Sequence, residues 1–91
     1  MYAIEWRPQA SADLLGIVAH IAADNPSAAQ ALKNDIEGKV LGLAEFPKLY
    51  RPGRIKGTRE LTAHPNYIVI YRLVGNVVEV LRVKHTAMRW P

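Results

Sequence analysis

The clearest pattern of hydrophobic and polar positions lies in the C-terminal third of the chain, over residues 67–85. Two runs rich in β-branched and aromatic residues flank Gly75 and Asn76, a dipeptide that accepts the positive φ of a two-residue turn. The pattern therefore predicts a β-hairpin in which Val74 faces Val77. Stepping outward from that pair assigns every other position to one of two faces.

The two faces of this hairpin have different predicted roles. The face predicted to be buried carries Ile68, Ile70, Leu81 and Val83, with Arg72 opposite Glu79 near the turn and Asn66 opposite His85 at the far end. The face predicted to be exposed carries Tyr67 beside Lys84, Val69 beside Arg82, Tyr71 beside Val80 and Leu73 beside Val78. Aromatic rings interleaved with cations suit a binding surface for nucleic acid or an acidic protein. A solvated sheet with no partner is the alternative.

The N-terminal half follows a helical rather than a strand period. Residues 1–6 alternate weakly and predict a short strand, whose place at the edge or centre of a sheet stays open. Helices are predicted over residues 10–23, with Pro8 suited to the first turn, and from Asn25, the N-cap, to about Phe46. Their apolar stripes are Leu14, Ile17, Val18 and Ile21, and Ala29, Leu32, Ile36, Val40 and Leu43. Only Asp24 and Asn25 connect the two predicted helices, and so short a connection predicts an antiparallel helical hairpin.

Residues 54–63 predict a further strand, which follows a loop at 47–53 and leads into a turn at 64–66. If Leu61 is buried, alternation places Arg59 on its face and puts Lys56, Thr58, Glu60 and Thr62 on the opposite face, together with Tyr67, Tyr71, Arg82 and Lys84. The element order is β-α-α-β-β-β. It predicts a single α+β domain over residues 1–91, with two layers: an N-terminal helical hairpin packed on a mainly antiparallel sheet.

Charge is distributed unevenly along the chain. Residues 1–50 hold four Lys or Arg against six Asp or Glu, whereas residues 51–91 hold eight against two. A basic surface in the C-terminal half is expected to attract a polyanion or an acidic protein. The chain has no cysteine, no apolar run long enough to cross a bilayer and no signal-like N-terminus, so we expect a cytoplasmic protein without a membrane partner.

Little in the sequence indicates catalysis. The three histidines are widely spaced, so neither a metal site nor a cofactor is predicted. The one reaction that the residues allow is phosphodiester transesterification on RNA, with His85 as acid or base and His64 in the second role. Arg54, Lys56, Arg82 and Lys84 would then stabilise charge on the phosphate. The alternative for His85 is a strand-end residue that is hydrogen-bonded to Asn66.

Several segments, in their order and spacing, resemble the RelE/ParE superfamily of bacterial toxins over nearly the whole chain. They are Gly57-Thr-Arg-Glu-Leu61, Tyr67-Ile-Val-Ile-Tyr-Arg-Leu73, Val80-Leu-Arg-Val-Lys-His85 and Arg89-Trp90-Pro91. The resemblance implies the toxin of a type II toxin-antitoxin pair, neutralised by a cognate antitoxin. An amphipathic antitoxin segment would pack on the helical hairpin or sheet edge, and its acidic residues would meet the basic face. The implied antitoxin-binding residues are Leu14, Ile17, Leu32, Ile36 and Arg59.

The superfamily divides by target. RelE-like members are ribosome-dependent mRNA endonucleases, commonly with one arginine after the tyrosine that resembles Tyr67 and another after the last strand, where this chain has Ile68 and Thr86. Arg54 and Lys56 stand where such enzymes keep lysines, and His85 can partly substitute for the two missing arginines. ParE-like members act on DNA gyrase without catalytic residues of their own, and the resemblance is closer to this branch. The implied target-binding residues are Lys56, Tyr67, Tyr71, Arg82, Lys84, His85, Arg89 and Trp90. The third hypothesis is a non-toxic nucleic-acid-binding module, which leaves the resemblance to the superfamily unexplained.

Overall fold

Two helices pack against one face of a five-stranded sheet in the computed structural model, which describes residues 1–88. The elements are β1 (Ala3–Trp6), α1 (Pro8–Ala22), α2 (Pro26–Leu41), a 3₁₀ turn (Gly42–Ala44), β2 (Arg51–Pro52), β3 (Arg59–His64), β4 (Tyr67–Val74) and β5 (Val77–His85). The strand order is β1-β5-β4-β3-β2, and only β1 runs parallel to its neighbour. This confirms the predicted α+β fold. It also places β1 at an edge and adds β2 within the predicted loop.

Both helices begin where the sequence predicts. Pro8 opens α1 and Pro26 opens α2, where a missing N–H costs nothing, and the Asn25 side chain accepts a hydrogen bond from the Ala28 N–H at 3.0 Å. The second helix ends at Leu41, earlier than predicted, because the chain tightens into the 3₁₀ turn before Pro47. The predicted stripes face the core. Buried are Leu14, Ala29, Leu32, Ile36, Val40 and Leu43, and partly buried are Ile17, Val18 and Ile21.

The hairpin of β4 and β5 follows the predicted register only near its turn. Val74 pairs with Val77 and Tyr71 with Val80, as predicted. Beyond them a β-bulge leaves Leu81 without a partner in β4, so Ile70 pairs with Arg82. A bulge inserts one residue into one strand, and every pair outward from it shifts by one position. The predicted pairs between Asn66 and His85, and between Tyr67 and Lys84, are therefore wrong.

The predicted faces of the sheet are also wrong. The helices pack on the side of Val69 and Tyr71, which join the core cluster with Leu61, whereas Ile68 and Ile70 point away from the helices. Ile68 and Ile70 are nevertheless buried, as predicted. Residues 68–71 are all buried, so hydrophobicity alone does not distinguish the two faces. The face opposite the helices, here called the open face, carries Glu60, Thr62, Ile68, Ile70, Arg72, Glu79, Arg82 and Lys84.

Tyr71 illustrates the correction. Its side chain is fully buried, and its hydroxyl donates a hydrogen bond to the Pro47 carbonyl oxygen at 2.5 Å. Burial raises the pKa of Tyr71 to about 12, although the positive charge of Arg59 acts in the opposite direction. Tyr71 ties the sheet to the loop after α2 and does not lie on an exposed surface.

Neither helix within residues 1–88 is both long and apolar enough to cross a membrane.

Candidate functional site

Cross-strand pairing arranges the polar residues of the open face in rows. Arg51 pairs with Glu60, Glu60 with Ile70, and Ile70 with Arg82, so these four side chains form one row across the sheet. A second row contains Thr62, Ile68 and Lys84, and a third pairs Arg72 with Glu79. The bulge is what brings Arg82 and Lys84 onto this face, because regular alternation would have placed both on the helix-packed side.

Arg82 is held by α1. Its Nε and Nη2 atoms donate hydrogen bonds to the Asp13 carboxylate at 2.8 and 3.0 Å, and the Val83 backbone N–H donates to the same carboxylate at 2.9 Å. Partial burial raises the pKa of Asp13, but these hydrogen bonds and the charge of Lys84 outweigh it and hold that pKa below its usual value. The same pair raises the pKa of Arg82. The pairing of β5 with β1 ends at Val80. Beyond it, the Asp13 carboxylate accepts the hydrogen bond of the Val83 N–H, which has no partner in β1.

Glu60 is a buried carboxylate at the other edge of the open face, with only 2% of its side chain exposed. It accepts hydrogen bonds from Arg51 Nη2 at 3.2 Å and from the Arg54 backbone N–H at 3.1 Å. The Arg54 Nε atom lies 3.8 Å from the same carboxylate. A buried charge is tolerated when it is paired and hydrogen-bonded in this way. Glu60 therefore fastens the loop after β2 to the sheet.

Two further arginines of the sheet, Arg72 and Arg59, are also engaged. Arg72 Nε donates to Glu79 at 2.6 Å, which confirms the predicted cross-strand ion pair. Arg59 lies on the face of Leu61, as predicted, and donates to the carbonyl oxygens of Lys48 and Tyr50 at 3.3 and 2.7 Å. Four of the seven Lys and Arg residues between positions 51 and 88 are thus in ion pairs: Arg51, Arg54, Arg72 and Arg82. Much of the positive charge in the C-terminal half is neutralised within the protein.

Two histidines flank Tyr67 at the far end of the sheet. The Tyr67 ring centroid lies 5.8 Å from that of His64 and 5.2 Å from that of His85, the latter edge-on. His64 Nδ1 accepts the Asn66 N–H at 3.1 Å and His85 Nδ1 accepts the Ala87 N–H at 3.0 Å. Each neutral imidazole therefore carries its proton on Nε2, which makes Nε2 a hydrogen-bond donor. Within residues 1–88 no three His, Asp or Glu side chains group as metal ligands.

In place of the predicted hydrogen bond between His85 and Asn66, each of these two residues bonds to a different partner. The Asn66 carbonyl oxygen accepts a hydrogen bond from the Thr86 N–H at 2.8 Å, while the imidazole of His85 bonds to Ala87. His85 still ends its strand in contact with Tyr67, its cross-strand partner. The imidazole of His85 is thus held by a hydrogen bond from the backbone and by contact with the Tyr67 ring.

The predicted antitoxin contacts need correction. Leu32 and Ile36 are 8% and 0% exposed, so they form the core under the helices and offer no surface to a partner, whereas Leu14, at 6%, reaches the surface only at its edge. Ile17 is only half-buried, and Lys56 lies exposed in the turn before β3. Arg89 and Trp90 lie outside the described residues.

Sequence reasoning missed three residues of this site: Asp13, Arg51 and Glu60. Asp13 gives no local signal, because its partner Arg82 is 69 positions away. Glu60 carried a weak signal as a carboxylate within a basic segment, but its burial depends on the loop that folds over it.

The helical hairpin carries a groove of about 450 Å³ on its surface. Apolar residues from β1 and α1 form most of the lining, namely Trp6, Leu14, Leu15 and Val18, and Lys33 and Glu37 of α2 border it. Leu15 is 71% exposed. This surface can accept the apolar side of a partner segment, and it includes Leu14 of the predicted contacts.

Comparison with known proteins identifies the class. A family model described as "ParE toxin of type II toxin-antitoxin system, parDE" matches residues 4–90, and the chain belongs to this family. It is 44% identical over 89 residues to the protein Y4kP of Sinorhizobium fredii, covering 97% of this chain and 92% of that one.

Two further relatives place the chain within the wider RelE/ParE superfamily. Toxin RelE2 of Caulobacter vibrioides is 32% identical, with 96% of this chain and 98% of that one covered. The structure of a chromosomal ParDE toxin-antitoxin system from P. aeruginosa superposes with a TM-score of 0.85 at 27% identity, covering 93% of this chain and 96% of that one. The chain is a type II toxin-antitoxin toxin of the RelE/ParE superfamily.

Proposed function

We propose that this toxin inhibits DNA gyrase and is neutralised by a cognate antitoxin. The observation that carries the choice of target is the pairing of the open-face arginines with carboxylates of the protein itself. Cleavage of RNA needs cations that are available to the phosphate as its charge develops. Arg82, the arginine nearest His85 in the sequence, is instead bound by two hydrogen bonds to Asp13.

The positions where endonucleases of the superfamily commonly hold arginine support the same choice. Ile68 is 3% exposed and part of the sheet, so it supplies neither charge nor contact. Thr86 is an uncharged residue whose backbone and hydroxyl bond to the turn at Asn66 and Pro65. A gyrase inhibitor needs no catalytic residues, only a surface that binds its target. Lys84 and His85 at the end of β5 are the residues we expect to make that contact.

The first test is plasmid supercoiling by purified gyrase with the toxin present. We expect inhibition, accumulation of cleaved gyrase-DNA complexes, and relief on adding the antitoxin. Lys84→Ala with His85→Ala should raise the toxin concentration needed for half-inhibition about tenfold, since two of the expected contacts are lost. Lys33→Ala on α2 is the matched control and should leave inhibition unchanged. Full supercoiling at saturating toxin would contradict the proposal.

A second candidate function is ribosome-dependent cleavage of mRNA. The observation that favours it is the cluster of His64, Tyr67 and His85, in which two imidazoles present Nε2 beside an aromatic ring. Acid and base roles in transesterification both need a proton on Nδ1, so each ring would first give up its acceptor bond to the backbone. If it operates, His85→Gln should slow cleavage of ribosome-bound mRNA by about a hundredfold or more while ribosome binding persists. No cleavage by the wild-type toxin would remove this candidate.

The cognate antitoxin is expected to dock an amphipathic segment in the groove beside Leu15. An apolar side chain that is 71% exposed next to such a groove is suited to contact a partner rather than to stabilise the fold. Leu15→Lys should therefore weaken antitoxin binding about tenfold or more, measured by calorimetry, with little change in melting temperature. Leu41→Lys is the matched control, because Leu41 is 69% exposed at the end of α2. Equal binding by the two variants would exclude this groove.

A further inference from the structure

We infer that the surface around Phe46 binds a second copy of this chain, so that two toxins associate about a two-fold axis. The end of α2 and the loop that follows it form this surface, here called the Phe46 surface. It shares no residue with the groove beside Leu15, and it does not include Lys84 or His85. The inference therefore does not depend on the toxin's target or on where the antitoxin binds. The residues that carry it are Gly38, Leu41, Glu45, Phe46, Lys48 and Leu49.

The first step of the argument is the group of exposed apolar side chains at this surface. Leu41, Phe46 and Leu49 are 69%, 62% and 71% exposed. None of the three belongs to the core cluster under the helices. Single exposed apolar side chains are ordinary on a protein surface, whereas a group of large ones marks an interaction surface. A partner is needed to remove these three side chains from water.

The second step is shape. Phe46 lines two neighbouring grooves, one of about 310 Å³ on the side of Leu49 and one of about 520 Å³ on the side of Leu41. Gly38 and Gly42 line the larger groove, and an added β-carbon on either would meet no atom within 4 Å. The surface thus carries a mostly exposed aromatic side chain beside an open groove. In a two-fold contact the same surface meets itself, so Phe46 of each copy can fill the groove of the other.

The third step is charge. Glu45 and Lys48 border these grooves and are exposed, and neither side chain forms an ion pair within residues 1–88. A two-fold axis close to Phe46 brings Glu45 of each copy to Lys48 of the other, since such a contact pairs residues reciprocally. An acidic or a basic partner would attract one of these two charges and repel the other. The opposite charges therefore favour a second copy over nucleic acid or an acidic peptide.

The expected association is weak. A stable protein–protein interface covers about 800 Å² of each partner, and the few exposed side chains of the Phe46 surface cover less. We therefore expect a dissociation constant of about 10 to 100 μM.

Sedimentation velocity of the full-length toxin over a series of concentrations tests the inference. Wild type should change from monomer to dimer as its concentration rises through this range. Phe46→Ala should raise the dissociation constant about tenfold or more, because it removes the side chain that fills the partner's groove. The melting temperature of dilute protein should change little, since this side chain is mostly exposed. Leu15→Lys is the matched control and should dimerise like wild type, because Leu15 is 71% exposed outside the Phe46 surface.

Charge reversal tests the two-fold pairing itself. Glu45→Lys and Lys48→Glu each place like charges opposite one another at both contacts, so each variant alone should dimerise about tenfold more weakly than wild type, or worse. An equimolar mixture of the two variants should recover the dimer, because every contact is then between opposite charges. The difference between the mixture and the single variants should shrink as salt rises.

Wild type that stays monomeric well above the expected range would overturn the inference. A dimer that Phe46→Ala and both charge variants leave unchanged would overturn it too, because such a dimer forms through another face. So would a mixture of the two charge variants that stays monomeric, since two copies would then not pair about this axis. If wild type is monomeric and Phe46→Ala weakens antitoxin binding, the Phe46 surface belongs to the antitoxin and the inference is wrong.

Discussion

Asp13→Ala should destabilise the toxin by about 2 to 4 kcal/mol, a large fraction of the stability of a small domain. The substitution removes three hydrogen bonds at once. It leaves the guanidinium of Arg82, 29% exposed, without its partner carboxylate, and it leaves the Val83 N–H at the edge of β5 unsatisfied. The free energy of unfolding in urea measures the loss. Glu37→Ala breaks an exposed ion pair with Lys33 and should change stability by no more than about 0.5 kcal/mol.

The same ion pair predicts part of the acid sensitivity. Because the pKa of Asp13 is lowered in the folded chain, its stabilisation is complete above about pH 4, the range of an unfolded aspartate. It is lost as the pH falls through the lower pKa of the folded state. Wild type should therefore lose more stability than Asp13→Ala between neutral pH and about pH 2. Parallel pH profiles of the two proteins would show that Asp13 does not stabilise the fold through its charge.

Gly53→Ala should destabilise the protein by about 1 to 3 kcal/mol, the usual cost of overpacking. The new methyl group would meet the hydroxyl and β-carbon of Thr58, and the threonine cannot turn away without losing its bond to the Ile55 carbonyl oxygen. The loop must then open, which also releases Arg54 from Glu60. We expect a lower melting temperature than that of wild type.

Gly42→Ala is the matched control for this change. A β-carbon at Gly42 has no neighbour within 4 Å and its backbone is helical, so the substitution should be neutral or slightly stabilising. Thr58→Ala in the Gly53→Ala background should recover part of the loss, because it removes the hydroxyl in the closest clash. If Gly53→Ala melts like wild type, the loop is not the tight unit that its hydrogen bonds indicate.

The elements of this fold could be predicted because each depends on local chemistry. An Asn-Pro pair such as Asn25 and Pro26 begins a helix when a helical apolar stripe follows it. Gly75 and Asn76 form the hairpin turn because Gly75 accepts the positive φ that the turn needs. The helical hairpin, the three longer C-terminal strands and their order along the chain follow from such signals, as does membership of a superfamily whose motifs are short and ordered.

The arrangement of the candidate site could not be predicted in the same way. Residues 68–71 are apolar on both sides of the strand, so their pattern permits either face to receive the helices. The bulge at Leu81 then reverses the side of every residue that follows it in β5. The first feature turned a predicted surface tyrosine, Tyr71, into a core residue with a buried hydroxyl, and the second placed Arg82 and Lys84 on the open face.

The sequence by itself determined the helices, the hairpin, the basic C-terminal half and the family, because capping, periodicity, composition and motif order belong to neighbouring residues. Only the tertiary structure decided which charges remain available. Arg82 meets Asp13 from a helix near the other end of the chain, and Glu60 is buried by a loop that folds back over it. Ion pairs between distant segments depend on packing, and packing therefore determined which part of the basic half can serve as a binding surface.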